Sequence, residues 1–375
     1  MPRCLIITND FPPRRGGIET FVYEIARRFP AGEVVVFTSA ERGAEAFDRR
    51  VPFPVVRAKA GTLLPTRAVA RRARALIAEY GCDSVWFGAA APLGLLAGRL
   101  GLPSVATTHG HEVWWAAVPG ARAVLRTIGR RAGTVTYLTG YTRDRIVPAL
   151  GDGVRTARLT PGVDAALFRP GDGTEVRERF GLDGPVILSV SRLVARKGQD
   201  RLIRAMPRVR RAVPGTRLLI VGGGPQEFWL RGLAEEGVVF AGGLPHEELP
   251  PFYAAADVFA MPCRDRRFGL ETEGLGIVFL EASAAGLPVL AGASGGAPET
   301  VLDGETGFVV DGRSVDEIAA RLIEMLTEGA GEGDGDGAGM GMGERARAWS
   351  AEWTWERSYE RLRELLALAS PTVGS

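Results

Sequence analysis

Five short runs of apolar, mostly β-branched residues recur along the first 140 residues, each followed by turn formers or a helical pattern: CLIIT (4–8), VVVFT (34–38), SVWFGA (84–89), SVATTHG (104–110) and TVTYLT (134–139). A strand with one wet face alternates apolar and polar residues, whereas a continuous apolar run is buried on both faces. Such runs call for a parallel sheet with helices on either side. TFVYEIARRF (20–29) has the period of one such covering helix. The turn-rich stretch 162–184 interrupts the series, and VILSVS (186–191), RLLIVGGG (217–224), VVFAGG (238–243), DVFAMP (257–262) and LPVLAG (287–292) begin another. Two alternating series predict an α/β protein of two doubly wound, Rossmann-like domains facing each other across a cleft. The expected boundaries are 1–167, 168–350 and a C-terminal helical segment 351–375 that returns to the first domain. WTWERSYERLRELLALA (353–369) is amphipathic, and its aromatic start needs a surface to cover. Glycine at every other position of 329–343 reads as a flexible surface insertion in the second domain.

Composition excludes several classes. Hydrophobic residues make up 46% and charged residues 24%, which rules out wholesale disorder and fibrous repeats. Cys4, Cys82 and Cys263 are too dispersed for a disulfide framework or a zinc knuckle, so a reducing, cytoplasmic compartment is expected. The start MPRCLIITND is too short an apolar stretch for a signal peptide, and no run of 18 uninterrupted apolar residues suggests a membrane span. Residues 1–160 carry 23 Lys and Arg against 12 Asp and Glu, a net charge of +11, whereas the remainder carries 23 against 32, a net of −9. The first half therefore suits a polyanion, either an anionic membrane or a nucleic acid. A nucleic-acid partner is disfavoured, because the basic residues alternate with acids rather than with stacking aromatics and no helix-turn-helix or zinc spacing occurs. PTRAVARRARALIAEYG (65–81) instead has the composition of a basic amphipathic helix on anionic lipid, with Arg67, Arg71, Arg72 and Arg74 as its contacts; a solvated arginine face is the alternative.

Three stretches carry chemistry. In NDFPPRRGGIET (9–20), Gly16 and Gly17 permit positive φ and close backbone approach ahead of a helix whose free N–H groups suit an anion. In SVSRLVARKGQD (189–200), Arg192 and Lys197 follow a strand's carboxyl end, where open α/β sheets bind ligands. A forked guanidinium and a compact ammonium suit the two phosphates of a nucleotide diphosphate. Only Lys59 and Lys197 are lysines among 46 basic residues, so a lysine at this place is no accident of composition. In ETEGLGIVFLEASAAGLP (271–288), Glu273 lies on a loop and Glu281 inside a helix expected to start near Ile277. The helix N-terminus between the two carboxylates offers N–H groups to a diphosphate. RDRRFGLET (264–272) is longer and more basic than a bare loop requires; it either reaches over the cleft or is a solvated excursion.

The Gly-rich first loop, the Arg-x4-Lys pair and Glu-x7-Glu stand in the order typical of the retaining glycosyltransferases of family 4, and the chain resembles that family over nearly its whole length, 329–343 excepted. TNDFPPRRGGIETF (8–21), THGHEVWW (108–115), SRLVARKGQD (191–200), EGLGIVFLEA (273–282) and SGGAPETV (294–301) are similar to an actinobacterial branch of it. The resemblance implies the GT-B arrangement and transfer of mannose from GDP-mannose to the inositol 6-position of a phosphatidylinositol monomannoside. It further implies a peripheral enzyme on the cytoplasmic face of the cell membrane, meeting an anionic glycolipid in the inner leaflet. Carried over by residue, Arg192 and Lys197 neutralise the departing diphosphate, Glu273 binds mannose hydroxyls, and Glu281 holds the ribose. Ile277 and Val278 meet the phosphates through their backbone, and Leu244 lines the guanine. His109 stands beside the transferred sugar, His111 has no assigned role, and Gly16 and Gly17 sit where donor phosphates and acceptor headgroup meet. The resemblance implies front-face substitution, in which the departing phosphate oxygen helps deprotonate the acceptor hydroxyl. No cofactor is required; Mg2+ is possible, although no metal site is visible and the cationic pair can take an ion's place. Another sugar nucleotide with a different acceptor is the alternative within the family.

Overall fold

A computed structural model of the chain describes residues 3–328 and 340–369. It divides into two compact units: Met1–Gly162 with Trp355–Ser375, and Val163–Thr354. The glycine-rich segment expected at 329–343 falls largely outside the described residues, and its last two residues belong to a helix instead.

Unit 1 is built on seven parallel strands: β1 (Cys4–Ile7), β2 (Val34–Thr38), β3 (Val55–Arg57), β4 (Ser84–Phe87), β5 (Ser104–Thr107), β6 (Thr134–Tyr137) and β7 (Thr156–Arg158). Their order in the sheet is β3-β2-β1-β4-β5-β6-β7. Among its helices, α1 (Gly17–Ala26) follows β1, α2 (Arg67–Tyr80) precedes β4, and α3 (Glu112–Ala117) follows β5. The Thr66 side chain caps α2 by accepting from Val69 N at 3.2 Å, and Gly81 ends it at φ 65°. Ala70, Ala73 and Leu76 of α2 are buried in a cluster with Leu5, Ile7, Val35 and Phe37. The apolar face of this helix is thus spent on the sheet and does not enter lipid; Arg67, Arg71, Arg72 and Arg74 are exposed on its outer face.

Unit 2 has six parallel strands: β8 (Val186–Val190), β9 (Arg217–Val221), β10 (Val238–Gly242), β11 (Val258–Met261), β12 (Val289–Gly292) and β13 (Gly307–Val310), in the order β10-β9-β8-β11-β12-β13. Among its helices are α4 (Gln199–Ala212), α5 (Glu227–Leu233), α6 (Ile277–Ala284), α7 (Val315–Glu328) and α8 (Met342–Ser350). Successive strand residues point to opposite faces. Val258 and Ala260 accordingly join Leu202, Met206 and Leu322 in the cluster beneath α4 and α7. Phe259, between them, packs against Tyr253 and Phe279, with ring centroids 5.9 and 5.8 Å away.

The last helix, α9 (Trp355–Ala369), belongs to unit 1. Trp355 is 2% exposed and meets Phe21 edge-on at 5.9 Å, Tyr359 meets Phe29 at 5.1 Å, and Glu356 pairs with Arg28 at 2.8 Å. The aromatic start of the tail covers α1 of the first sheet.

Candidate active site

In each sheet the strand order reverses at one point, between β1 and β4 in unit 1 and between β8 and β11 in unit 2. Chain connections leave in opposite directions there, and the crevice beyond the strand ends is where such folds bind ligands.

After β8 the chain makes a single 3-10 turn, Ala195–Lys197, closed by Lys197 N donating to Val194 O at 2.9 Å. Gly198 follows at φ 81°, and a Cβ there would stand 2.0 Å from the Pro262 carbonyl oxygen beyond β11. Only glycine lets the two strand ends approach this closely. Lys197 is consequently buried, with its Nζ 2.8 Å from Glu273 Oε2, an oxygen that also accepts from Arg196 Nη1. Burial opposes ionisation of Glu273, but Lys197 and Arg196 together outweigh it and hold the carboxyl below its ordinary range. The cluster has two cations against one anion, a surplus available to a polyanion.

The spacing pairs Lys197 with Arg192 on a diphosphate. The structure leaves Arg192 exposed, with no side-chain ion pair among the described residues, and brings Arg196 into the cluster instead. In an arginine-rich chain Arg196 is inconspicuous, since only the 3-10 turn decides which way it points. The Glu273 loop is pinned by its backbone: its N–H donates to Ser294 Oγ at 3.1 Å, and Ser294 in turn donates to Asp265 Oδ1 at 2.6 Å. The stretch 264–272 closes on itself between Arg266 and Glu271, whose N–H groups donate to each other's carbonyls at 2.9 and 3.1 Å. Its tip holds Arg267 and Phe268 at φ 50° and 57° with Phe268 fully exposed.

Helix α6 starts at Ile277, as expected, behind Gly276 at φ 90°, which supplies no side-chain cap. The backbone N–H groups of Ile277 and Val278 therefore remain available to an anion. Glu281, on the next turn, is buried; Tyr253 Oη donates to its Oε2 at 2.8 Å, and His246 Nε2 stands 2.7 Å from Oε1. Burial, reinforced by Glu281, raises the Tyr253 phenol well above its usual range, so it stays a donor. Leu244 is half-buried just after β10, two residues before His246. Glu273 and Glu281 thus occupy different environments, the first among cations and the second between a phenol and an imidazole. Cys263 is no nucleophile: burial first, then Glu273, pushes its thiol up to about 12.

In unit 1, His109 lies beyond β5 and is 8% exposed, with Nε2 2.5 Å from the Gly88 carbonyl oxygen and the Phe21 ring edge-on at 5.1 Å. Burial pulls its pKa down to about 3, so the imidazole is neutral. A carbonyl only accepts, so Nε2 carries the proton and Nδ1 is left as an acceptor. The His109 backbone N–H donates to Glu112 Oε2 at 2.9 Å, while Glu112 Oε1 lies 3.3 Å from Nε2 of the partly exposed His111. Neither Gly16 nor Gly17 uses the positive φ that glycine permits. Gly16 is extended at φ 167°, and Gly17 is the first residue of α1 with open space beside it. A Cβ at position 16 would stand 2.2 Å from Glu19 Oε2, the end of a side chain that can move. Glu19 is buried, which raises its pKa, and Arg14 Nε reaches its Oε1 at 3.1 Å.

Among the described residues no group of three or more His, Cys, Asp and Glu side chains is placed to hold a metal ion. No helix among them is long and apolar enough to cross a membrane.

Two sequence families match consecutive parts of the chain: Glycosyltransferase Family 4 over residues 15–167 and Glycosyl transferases group 1 over 174–339. The chain is 49% identical, over 97% of its length and 98% of the relative's, to the GDP-mannose-dependent alpha-(1-6)-phosphatidylinositol monomannoside mannosyltransferase of Mycolicibacterium smegmatis. It is 44% identical, over 97% of each chain, to the GDP-mannose-dependent monoacylated alpha-(1-6)-phosphatidylinositol monomannoside mannosyltransferase of Corynebacterium glutamicum. Among solved structures, Anabaena HepE in complex with UDP matches with a TM-score of 0.78 at 21% identity, over 97% of this chain and 99% of that one. Sucrose-phosphate synthase from Thermosynechococcus elongatus matches with a TM-score of 0.75 at 22% identity, over 97% and 98%. The two structures share the fold, and the closer sequence relatives, matched end to end, place this protein in the family 4 glycosyltransferases.

Proposed function

We propose that the protein transfers a mannosyl residue from GDP-mannose, with retention of the α configuration, to the inositol 6-position of phosphatidylinositol monomannoside. The observation that carries this reading is the 49% identity, over 97% of the chain, to a relative named for that reaction.

The chemistry of unit 2 supports it. When the glycosidic C–O bond breaks, negative charge collects on the departing phosphate oxygen, and groups aimed at that charge stabilise the transition state more than the ground state. Lys197 supplies a buried ammonium, Arg192 an exposed guanidinium, and α6 the N–H groups of Ile277 and Val278. A diphosphate competes with Glu273 for Lys197 and leaves Glu273 to accept from the mannose hydroxyls. Glu281, held by Tyr253 and His246, accepts from the ribose beside Leu244, which lines the guanine. The departing phosphate oxygen takes the proton of the attacking inositol hydroxyl, so the proton is accounted for without a carboxylate base. In unit 1, His109 keeps Nδ1 free to accept from a sugar hydroxyl, and the open space beside Gly17 at the start of α1 suits an anionic group.

The acceptor is an anionic lipid, and the outer face of α2 suits its surface. With the apolar side of that helix committed to the core, attachment is electrostatic rather than insertive, at roughly 1 kcal/mol per arginine. Such attachment suits a peripheral enzyme on the cytoplasmic leaflet, whose surface potential is negative. Replacing Arg67, Arg71, Arg72 and Arg74 by glutamine should abolish sedimentation with anionic vesicles and leave GDP affinity unchanged.

The decisive experiment offers GDP-mannose, UDP-glucose and UDP-N-acetylglucosamine separately to the protein with vesicles containing phosphatidylinositol monomannoside. Mass spectrometry and anomeric NMR should find an α-linked dimannoside with GDP-mannose alone. Transfer from either UDP sugar, or to a soluble acceptor in preference, overturns the reading.

A further inference from the structure

Unit 2 contains a concavity of about 380 Å³, lined by Ala195, Gln226, Trp229, Arg264 and Arg266; it adjoins the ionic cluster, since Arg264 N donates to Arg196 O at 2.8 Å, but no side chain of its lining has a part in the proposed transfer. It opens on the α4 side of the sheet: Trp229 belongs to α5, and the guanidinium of Arg204 on α4 lies 5.9 Å from its indole centroid. Glu281 and Tyr253 lie on the opposite side, with Phe259 and Phe279.

The charges around this pocket do not balance. Asp200 is 4% exposed, and three guanidiniums share its carboxylate: Arg264 at 2.8 Å, Arg204 at 3.3 Å and Arg201 at 3.6 Å. Arg264 spends Nη2 on that carboxylate, while its Nη1 is buried without a hydrogen-bond partner among the described residues. A buried donor left unmade costs free energy until an acceptor arrives. Arg266, at the mouth, comes no nearer than 3.5 Å to Glu271 and keeps much of its own charge exposed. Beside the two guanidiniums stand the half-exposed indole of Trp229, the Ala195 methyl and the Gln226 amide.

We propose that this pocket binds a small phosphorylated sugar or cyclic polyol. The phosphate oxygens answer the unmade Nη1 of Arg264 and the fork of Arg266, which matches a tetrahedral oxyanion with paired hydrogen bonds. The C–H face of the ring lies on Trp229, and a hydroxyl meets Gln226. The volume stands at the low end of ligand pockets, which suits one ring rather than a nucleoside diphosphate.

Calorimetric titration of the protein with glucose 6-phosphate, inorganic phosphate and glucose, each with and without saturating GDP, tests the proposal. Glucose 6-phosphate should bind in both conditions, about tenfold more tightly than phosphate, and glucose should not register. Arg266→Gln should weaken glucose 6-phosphate about tenfold and Trp229→Leu about threefold, with GDP affinity held within about twofold as the check on folding. Arg266→Lys, which keeps the charge and loses the fork, should fall between. Absence of binding in the wild type, or affinity indifferent to all three variants, overturns the site. Equal affinity for phosphate and glucose 6-phosphate overturns the ring contact. A failure of GDP itself to bind would strike the donor assignment alone; thermal midpoints of the variants within a few degrees of the wild type then serve as the folding check for this comparison.

Discussion

At the switch point of unit 2, Lys197 and Arg196 meet Glu273 in an ionic cluster whose balance is positive. At the switch point of unit 1, His109 is buried to the same degree as Lys197, yet its imidazole is kept neutral and hydrogen-bonded to the Gly88 carbonyl. The sheets are built alike; the contents of their crevices are opposite. The difference teaches a division of labour. In the proposed reaction the charged cluster would stabilise charge on the leaving group, and the desolvated neutral ring would accept from a sugar hydroxyl without competing for the phosphates.

The largest test of this contrast is Lys197→Ala. Loss of one buried cation aimed at the leaving group should lower turnover about a thousandfold at saturating donor, with the thermal midpoint only slightly lower. Near-normal turnover would break the ionic half of the comparison. Glu273→Gln should cost about a hundredfold in mannose transfer while GDP affinity stays within about threefold, because the carboxylate is assigned to the sugar rather than to the nucleotide. An equal loss of GDP affinity would merge the roles of the two glutamates.

The neutral half is tested by acid. The folded pKa of His109 is about 3, and an unfolded histidine titrates near 6.5, so the unfolded state binds the proton first as pH falls. The stability His109 contributes is complete above pH 6.5 and drains away towards pH 3, amounting to a loss of about 2 kcal/mol by pH 5. Denaturant titrations at pH 7 and pH 5 should show that slope in the wild type, and it should disappear in His109→Gln, whose amide still donates to Gly88. A slope unaltered by the substitution would mean that other groups carry it. The smallest effect is expected of Glu281→Gln, with GDP affinity down about tenfold and transfer at saturating donor little changed, as calorimetry and initial rates would report.

The long apolar runs made the sheets legible from the residues alone. CLII, VVVF, VILSV and RLLIV are each sufficient to require a buried parallel strand, and the strands formed where those runs lie. Val55–Arg57, Thr156–Arg158 and Gly307–Val310, of three, three and four residues, are strands that the apolar runs do not mark. All three lie at sheet edges, where one neighbour is missing and the pattern of burial is weaker. The arginine-rich helix was read correctly as amphipathic, but its apolar face belongs to the core, and pattern alone does not say what covers a face.

The same distinction separates the parts of the candidate site. Local sequence determined Lys197 after a strand end, Glu273 ahead of a helix and that helix beginning at Ile277, because strand ends, glycines and helix starts are short-range features. Tertiary structure decided that Arg196 meets Glu273, 77 residues away, and that Glu281 is held by Tyr253 and His246, 28 and 35 residues away. It also gave His109 its neutrality in burial beside Gly88. Periodicity and turn chemistry act over a few residues and are written in the chain. Ion pairs and desolvation depend on which segments the finished sheets bring within a few ångströms, and that distance exists only once the chain has folded.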